Sequence, residues 1–278
     1  MPTEHSEERA TAFSHLETEE KQRRSGSFGD VAGHYERYRP GPPVAALDWF
    51  LPDHVATVVD LGAGTGALTR LLLDRADEVI AVEPDDRMRD VLIEQVPGAM
   101  AVKGRGESMP LPDNFADAVL ASASWHWMDV KPALREVGRI LVPGGVLGAI
   151  WSGPDPEGAF LVQSQQLLME SSSGGSGSAL ASVALNDTNR MPSILEIPDG
   201  VPFDQPEVEV FKWEMPLTAD EIVGMLGTMS SFILLDDETR QAAFSEARRL
   251  LRDLLGIEGD ATVNLEFRAE AYKSIYRG

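Results

Sequence analysis

Short apolar runs alternate with amphipathic stretches between Ala56 and Trp151. The apolar runs have the length of buried strands, at Thr57–Asp60, Val79–Val82, Ala99–Val102, Ala116–Ala121 and Val146–Trp151. The amphipathic stretches predict helices at about Ala67–Ala76, Asp86–Gln95 and Pro132–Leu141. This alternation is typical of βαβ units, and it predicts an α/β fold with a parallel sheet.

The chain before this alternation has a different pattern. Residues 1–27 are polar and predict a disordered tail. The stretch from Phe28 to Tyr38 predicts a helix that ends before the prolines at positions 40, 42 and 43. We therefore expect one folded domain at residues 28–278, with its alternating core at residues 44–151.

Beyond Trp151 the alternation stops, and residues 152–278 predict an α-rich lid followed by a C-terminal strand and helix region. The predicted elements are helices at Phe160–Met169, from Thr218 onward and at Asp237–Leu255, and strands at Glu207–Trp213 and Thr262–Phe267. Thr218 and Glu221 have the spacing of a capping box. The Ser-Gly segment Ser171–Ser178 fits either a tolerated surface insertion or the hinge of a mobile lid.

Composition narrows the function classes. The 278 residues carry a formal net charge of -21, which repels phosphate backbones and anionic lipid, so we expect neither nucleic acid nor a membrane as partner. The chain has no cysteine, which excludes disulfides, thiolate nucleophiles and cysteine-bound metals. The histidines are scattered without a helical metal-ligand spacing, so no metal is expected. With no apolar leader or membrane span, we expect a cytoplasmic protein.

A glycine-rich turn follows the first predicted strand, and the strand end and the turn together have the sequence VVDLGAGTG at residues 58–66. Turns of this kind bind cofactors at the carboxyl ends of parallel strands, because Gly62 and Gly64 let the backbone approach a ligand closely. The run matches both the dinucleotide fingerprint and the turn of S-adenosylmethionine enzymes, in which an acidic residue precedes it, here Asp60. Glu83 ends the next strand, where a carboxylate can accept bonds from two ribose hydroxyls. Dinucleotides and S-adenosylmethionine both contain a ribose, so these residues do not decide between the two cofactors.

Three blocks over about a hundred residues resemble the class I S-adenosylmethionine-dependent methyltransferases that act on small molecules. They are the glycine turn, residues 107–119 (ESMPLPDNFADAV) and residues 135–147 (REVGRILVPGGVL). Residues 28–40 and 124–129 (SWHWMD) are similar to the trans-aconitate methyltransferase-like group. The resemblance covers residues 28–151 well and the C-terminal third loosely. Arg105 departs from the pattern of relatives that carry an aspartate there.

The resemblance implies a Rossmann-like fold with a doubly wound, mostly parallel, seven-stranded sheet, and S-adenosyl-L-methionine as the cofactor. Asp60 would interact with the methionine end of the cofactor or cap the glycine turn. Because Arg105 replaces an aspartate, adenine recognition would rest more on Gly106, Glu107 and backbone groups. The residues that the resemblance places around the cofactor are Tyr35, Arg39, Asp60, Gly62, Ala63, Gly64, Glu83, Pro84, Met88, Gly106, Glu107 and Ser122.

The expected reaction is methyl transfer to a small-molecule acceptor through an oxygen nucleophile, either a hydroxyl or a carboxylate. His126 is the candidate catalytic residue, because its reference pKa lies near neutrality and it follows a strand end; it could equally pack between Trp125 and Trp127. Two alternatives remain at this point, an NAD-dependent oxidoreductase and a catalytically silent protein that binds S-adenosylmethionine. Both a monomer and a homodimer fit the sequence.

Overall fold

The structure, a computed structural model, describes residues 29, 38, 41–52, 54–172, 180 and 194–278. Within them the strands are β1 (Val55–Leu61), β2 (Ala76–Val82), β3 (Met100–Val102), β4 (Ala116–Ser122), β5 (Leu141–Pro154), β6 (Glu207–Thr218) and β7 (Thr262–Ile275). They form one seven-stranded sheet in the order β3-β2-β1-β4-β5-β7-β6. The predicted α/β fold with a mostly parallel seven-stranded sheet is confirmed.

Helices connect the strands. In the described residues they are α1 (Val44–Phe50), α2 (Ala67–Leu72), α3 (Asp86–Gln95), α4 (Val130–Ile140), α5 (Ala159–Ser172), α6 (Ala219–Leu226), α7 (Ser230–Ile233) and α8 (Asp237–Leu255). A 3₁₀ turn, Trp125–Trp127, lies between β4 and α4. The capping box predicted at Thr218 is present, since its hydroxyl accepts the N–H of Glu221 and the Glu221 side chain reaches back to the Thr218 N–H.

The strand order changes direction between β1 and β4. β1 pairs in parallel with β2 on one side and with β4 on the other, while β2 pairs with β3 and β4 with β5, also in parallel. The chain therefore winds outward from β1 and then returns to its other side. In sheets of this kind, ligands bind outside the carboxyl ends of the strands where the order reverses.

Two element boundaries differ from the prediction near the glycine turn. Helix α2 ends at Leu72 instead of Ala76, and β2 begins at Ala76 instead of Val79. The reason is pairing, because Val55 at the start of β1 is in register with Ala76. The sequence prediction also missed helix α1, which begins after Pro43 and buries Ala46, Leu47 and Phe50.

The C-terminal strands are longer than predicted. In β5, Leu141 pairs with Ala116 and Val146 with Ala118, so the Pro-Gly-Gly stretch between them bulges out of a continuous strand. Strand β7 continues past Phe267 to Ile275 and buries Ala269 and Ala271. The alanines in this stretch obscure the alternation of apolar and polar residues that marks a strand.

Helix α5 extends through Ser172, so the first two residues of the predicted Ser-Gly segment are helical. Residues 173–178 lie outside the described residues, as does the predicted tail.

The chain divides into two compact units. One contains the glycine turn and comprises, among described residues, 41–52, 54–152, 194–211 and 269–278. The other comprises 29, 38, 153–172, 180 and 212–268, and its apolar core includes Phe232, Ala243 and Leu251. The predicted lid at residues 152–278 stays a prediction. Across the described part of the chain, no helix combines the length and apolarity needed to span a membrane.

Candidate functional site

The glycine turn follows β1 directly. Gly62 and Gly64 have φ of +71° and +57°, in the left-handed region that favours glycine. A Cβ on Gly62 would lie 2.5 Å from Cβ of Ser124, so the turn and the segment after β4 approach too closely for a side chain. A Cβ on Gly64 would meet nothing within 4 Å. The turn is therefore closed against β4 at Gly62 and open at Gly64, where a ligand can approach the backbone.

Asp60 lies in β1 just before this turn and is only 1% exposed. Its Oδ2 accepts the hydroxyl of Thr69 at 2.6 Å, while Oδ1 has no hydrogen-bond partner among the described residues. Burial raises the pKa of Asp60 from 3.8 to about 7; the Thr69 bond opposes this and the Glu83 charge adds to it. The hydroxyl of Thr65 is likewise buried without a partner in the described part of the chain. Such orphaned oxygens are rare, and they fit a ligand that brings N–H donors or positive charge.

Glu83 follows β2 and joins two backbone segments. Its Oε2 accepts the N–H of Gly64 at 2.8 Å, and its Oε1 accepts the N–H of Asp85 at 2.9 Å. Burial raises the pKa of this carboxyl, which is 7% exposed. Each carboxylate oxygen can accept more than one bond, so Glu83 can hold the glycine turn and still accept ligand hydroxyls. Pro84 follows it, and Met88 is buried in α3.

The loop between β3 and β4 carries Gly106 and Glu107. A Cβ on Gly106 would lie 2.3 Å from Sδ of Met128, so this glycine packs directly under a residue of the segment after β4. Oε1 of Glu107 accepts the N–H of Asp129 at 2.8 Å. The sequence analysis predicted neither the packing of Met128 on Gly106 nor the bond between Asp129 and Glu107, although Met128 and Asp129 both belong to the SWHWMD block.

A side-chain clamp from α4 fixes this loop, and the sequence analysis missed it. The Arg139 guanidinium donates to the carbonyls of Met109 and Leu111 at 3.1 and 2.8 Å. It also donates to both oxygens of Glu136, whose Oε1 accepts the N–H of Met109 at 2.6 Å. The signal was present, because Glu136 and Arg139 stand three apart on a helix face.

His126 lies in the 3₁₀ turn that follows β4, beyond Ser122 at the strand end. The ring is buried at 7% exposure, and its Nδ1 accepts the indole N–H of Trp151 at 2.9 Å. Trp127 lies against it with ring centroids 4.5 Å apart. The role of His126 as a base stays a prediction.

The structure therefore brings most of the predicted residues to one edge of the sheet. Backbone and side-chain contacts join Gly64 to Glu83 and Gly62 to Ser124, and Ala63 donates its N–H to the Val82 carbonyl at 3.1 Å. Pro84, Met88 and Ser122 are neighbours of these residues along the chain. Tyr35 and Arg39 lie outside the described residues. The arrangement is a candidate site for a cofactor that contains a nucleoside, at the place where parallel α/β sheets bind ligands, a reversal of strand order.

Comparison with known proteins shows which family of cofactor-binding proteins the chain belongs to. A family profile described as a methyltransferase domain matches residues 59–149. An uncharacterized methyltransferase of Mycobacterium tuberculosis strain H37Rv is 34% identical over 225 residues, covering 81% of this chain and 85% of the relative. The chain therefore belongs to the class I S-adenosylmethionine-dependent methyltransferases, which excludes the NAD-dependent alternative.

Two further likenesses are more limited. A solved structure of a protein from Anaeromyxobacter dehalogenans, assigned as a type II methyltransferase, superposes with a TM-score of 0.60 at 21% identity and covers 86% of this chain and 98% of that one. It supports the fold. Malonyl-(acyl-carrier protein) O-methyltransferase 1 of Coxiella burnetii is 33% identical over 99 residues, 35% of this chain and 34% of that protein.

The site fits the cofactor that the family implies. S-adenosyl-L-methionine carries an ammonium group, a ribose and an adenine. The orphaned Oδ1 of Asp60 and Oγ1 of Thr65 suit an ammonium, the Glu83 carboxylate suits hydroxyls, and the open space beside Gly64 leaves room for a ligand.

Proposed function

We propose that this methyltransferase acts on a small-molecule acceptor and methylates one of its oxygens, a hydroxyl or a carboxylate. The observation that carries the proposal is the position of His126. Its turn is held on both flanks, since Ser124 lies against Gly62 of the glycine turn and Met128 lies against Gly106 of the loop between β3 and β4. An imidazole so placed can bind an oxygen of the acceptor beside the cofactor.

Three further points support an oxygen acceptor of small size. The matched segment of the Coxiella protein belongs to an enzyme named as an O-methyltransferase. Residues 124–129 resemble the trans-aconitate methyltransferase-like group. The net charge of -21 disfavours nucleic acid and anionic membranes, so a small acceptor in the cytoplasm is the substrate class we favour.

The cofactor supplies an electrophilic methyl group, and the chain has to bind and orient both reactants. In our proposal, Asp60 and Thr65 bind the methionine end, Glu83 the ribose hydroxyls, and Gly106 and Glu107 the adenine. Tyr35 and Arg39, which lie outside the described residues, would close over the cofactor. No covalent enzyme intermediate is required for an in-line displacement.

The test is to incubate the full-length enzyme with methyl-labelled S-adenosyl-L-methionine and a small-molecule cell extract, and to identify the labelled product by mass spectrometry. A label that mild base releases indicates a methyl ester, and a base-stable label on oxygen indicates an ether. The Glu83→Ala variant is the control for labelling by other enzymes. Label on nitrogen or carbon, or only on macromolecules, would overturn the proposal, and no labelled product would favour a silent binding protein.

A further inference from the structure

The hydrogen bond between Trp151 and His126 determines which ring nitrogen of the histidine carries the proton. An indole N–H can only donate, so Nδ1 of His126 must be the acceptor in this 2.9 Å contact. A neutral imidazole has one protonated nitrogen. The proton of His126 therefore resides on Nε2.

The fold holds both rings in this relation. β4 and β5 are paired so that Ser122 is in register with Ile150, and the N–H of Ala123 donates to the Ile150 carbonyl at 2.8 Å. Trp151 thus follows directly beside the turn that carries His126. On its other side, the indole meets the ring of Tyr272 edge-on, at 5.8 Å and 88°.

This geometry opposes the use of His126 as a base. Its Nε2 is already protonated, and a second proton would have to enter at Nδ1. There it would face the N–H of Trp151, donor against donor, in a place where both side chains are 7% exposed. A donor at Nε2 requires no such rearrangement.

We propose that Trp151 is a positioning residue that holds His126 in the Nε2–H tautomer, and that His126 donates a hydrogen bond from Nε2 to the acceptor. The inference rests on the proposed function in that the acceptor must offer an oxygen. The bonded oxygen is one beside the atom that is methylated, because a bond to the nucleophile itself would reduce its electron density. His126 orients the acceptor and takes up no proton: an ionised carboxylate has none to lose, and the proton that a hydroxyl loses on methylation passes to water.

The tautomer can be measured in the full-length enzyme without an acceptor. In protein labelled with ¹⁵N-histidine, the shifts of the two ring nitrogens report which one is protonated, and the His126→Gln variant assigns the signals among five histidines. We expect a protonated Nε2 and a bare Nδ1. Trp151→Phe keeps an aromatic ring but removes the donor, and it should shift the ring toward a mixture of tautomers. Trp49→Phe, a half-buried tryptophan of α1, is the matched control and should leave the signals unchanged. A protonated Nδ1 in the wild-type enzyme would overturn the proposal.

Measurements of activity distinguish a His126 side chain that donates a hydrogen bond from one that takes up a proton. Glutamine can donate from Nε2 but cannot act as a base near neutral pH, so His126→Gln should retain activity within about tenfold of wild type. His126→Ala should lose about a hundredfold or more, the range typical of a lost positioning or proton-transfer group. Trp151→Phe should lower turnover while the affinity for S-adenosylhomocysteine stays the same. If the glutamine variant is as inactive as the alanine variant while both bind S-adenosylhomocysteine, His126 takes up a proton and the proposal is wrong.

The two proposals fail in different experiments. Label on nitrogen would remove the oxygen acceptor but leave the tautomer measurement intact. A bare Nε2 would remove the positioning role of Trp151 while an O-methylated product still supported the proposed function. If a His126 variant does not fold, the wild-type and Trp151→Phe spectra still decide the tautomer, with folding checked by circular dichroism.

Discussion

Asp60 and His126 are buried titratable groups on opposite sides of the site, and the protein surrounds them differently. Asp60, on the β1 side, keeps one oxygen without a partner among the described residues, and burial raises its pKa to about 7. His126, on the β4 side, has Nδ1 occupied by the indole of Trp151. A ligand can therefore change the charge of Asp60, whereas the tautomer of His126 is fixed before any ligand binds. On the proposed cofactor side an oxygen of Asp60 can therefore accept a bond from a ligand, whereas the proposed acceptor side is preorganised.

The largest effect is expected at Gly62, which joins these two sides. Gly62→Ala places a Cβ 2.5 Å from Ser124 at a φ of +71°, and it should lower the free energy of unfolding by about 2–5 kcal/mol. Gly64→Ala is the matched variant, because its Cβ meets no atom within 4 Å and only the φ of +57° costs stability, about 1–2 kcal/mol. Chemical denaturation measures both.

The pair also tests where the cofactor binds. The Cβ of Gly64→Ala would project into the proposed site. The affinity for S-adenosylhomocysteine should therefore fall by about tenfold or more, and a tenfold loss corresponds to about 1.4 kcal/mol of binding free energy. If Gly64→Ala binds S-adenosylhomocysteine as tightly as the wild-type enzyme does, the cofactor does not bind beside Gly64.

Glu83→Ala should reduce cofactor affinity by about tenfold or more, because each bond to a charged group is worth roughly 1.5–3 kcal/mol. The variant also removes the acceptor for the Gly64 N–H, so some loss of thermal stability should accompany it. Titration calorimetry with S-adenosylhomocysteine measures the affinity. Glu94→Ala, an exposed glutamate of α3, is the control. Equal affinities in the two variants would contradict a ribose-binding role.

Asp60 makes stability depend on pH in a defined direction. Its folded pKa, about 7, exceeds its ordinary value of 3.8, so its contribution to stability is fully present below about 4 and is lost as pH rises through 7. Asp60→Asn removes this loss. Relative to wild type, the variant should therefore gain about 2–3 kcal/mol between pH 5 and pH 7.5, at up to about 1.4 kcal/mol per pH unit for one proton.

Urea denaturation at several pH values tests this expectation, with the exposed Asp90→Asn of α3 as the control. Burial also raises the pKa of Glu83, but that group is present in both proteins and cancels in the comparison. A difference between Asp60→Asn and wild type that does not change with pH would mean that Asp60 is ionised throughout.

The glycine-turn side was predictable because its chemistry is local in sequence. Gly62 and Gly64 need positive φ directly after a buried strand, and Glu83 ends the next strand, so spacing alone locates them. Parallel pairing then brings strand ends together whatever the connecting helices are. The same locality explains why the alternating strands and helices of the parallel core could be inferred, although helix α1 was missed and several element ends were misplaced.

The other side depends on contacts distant in sequence. His126 and Trp151 are 25 residues apart, and their bond follows from the register of β4 with β5, which the bulge at the Pro-Gly-Gly stretch sets. Apolar patterning does not reveal a register of this kind. Met128 under Gly106 has the same origin, because van der Waals packing between two loops leaves no periodic trace.

The smallest effect is expected at Arg139, which acts on the site through the loop that carries Gly106 and Glu107. Arg139→Lys keeps the charge but loses the planar fork that reaches the Met109 and Leu111 carbonyls together. The free energy of unfolding should fall by about 1–2 kcal/mol, the worth of one or two lost bonds. Cofactor affinity should fall only a few-fold, because the loop contacts remain at Glu107 and Asp129. Arg135→Lys, on an exposed position of the same helix, should change neither quantity. If Arg139→Lys lowers stability but leaves affinity at the Arg135→Lys value, the clamp serves the fold alone, and the loop does not need it to bind the cofactor.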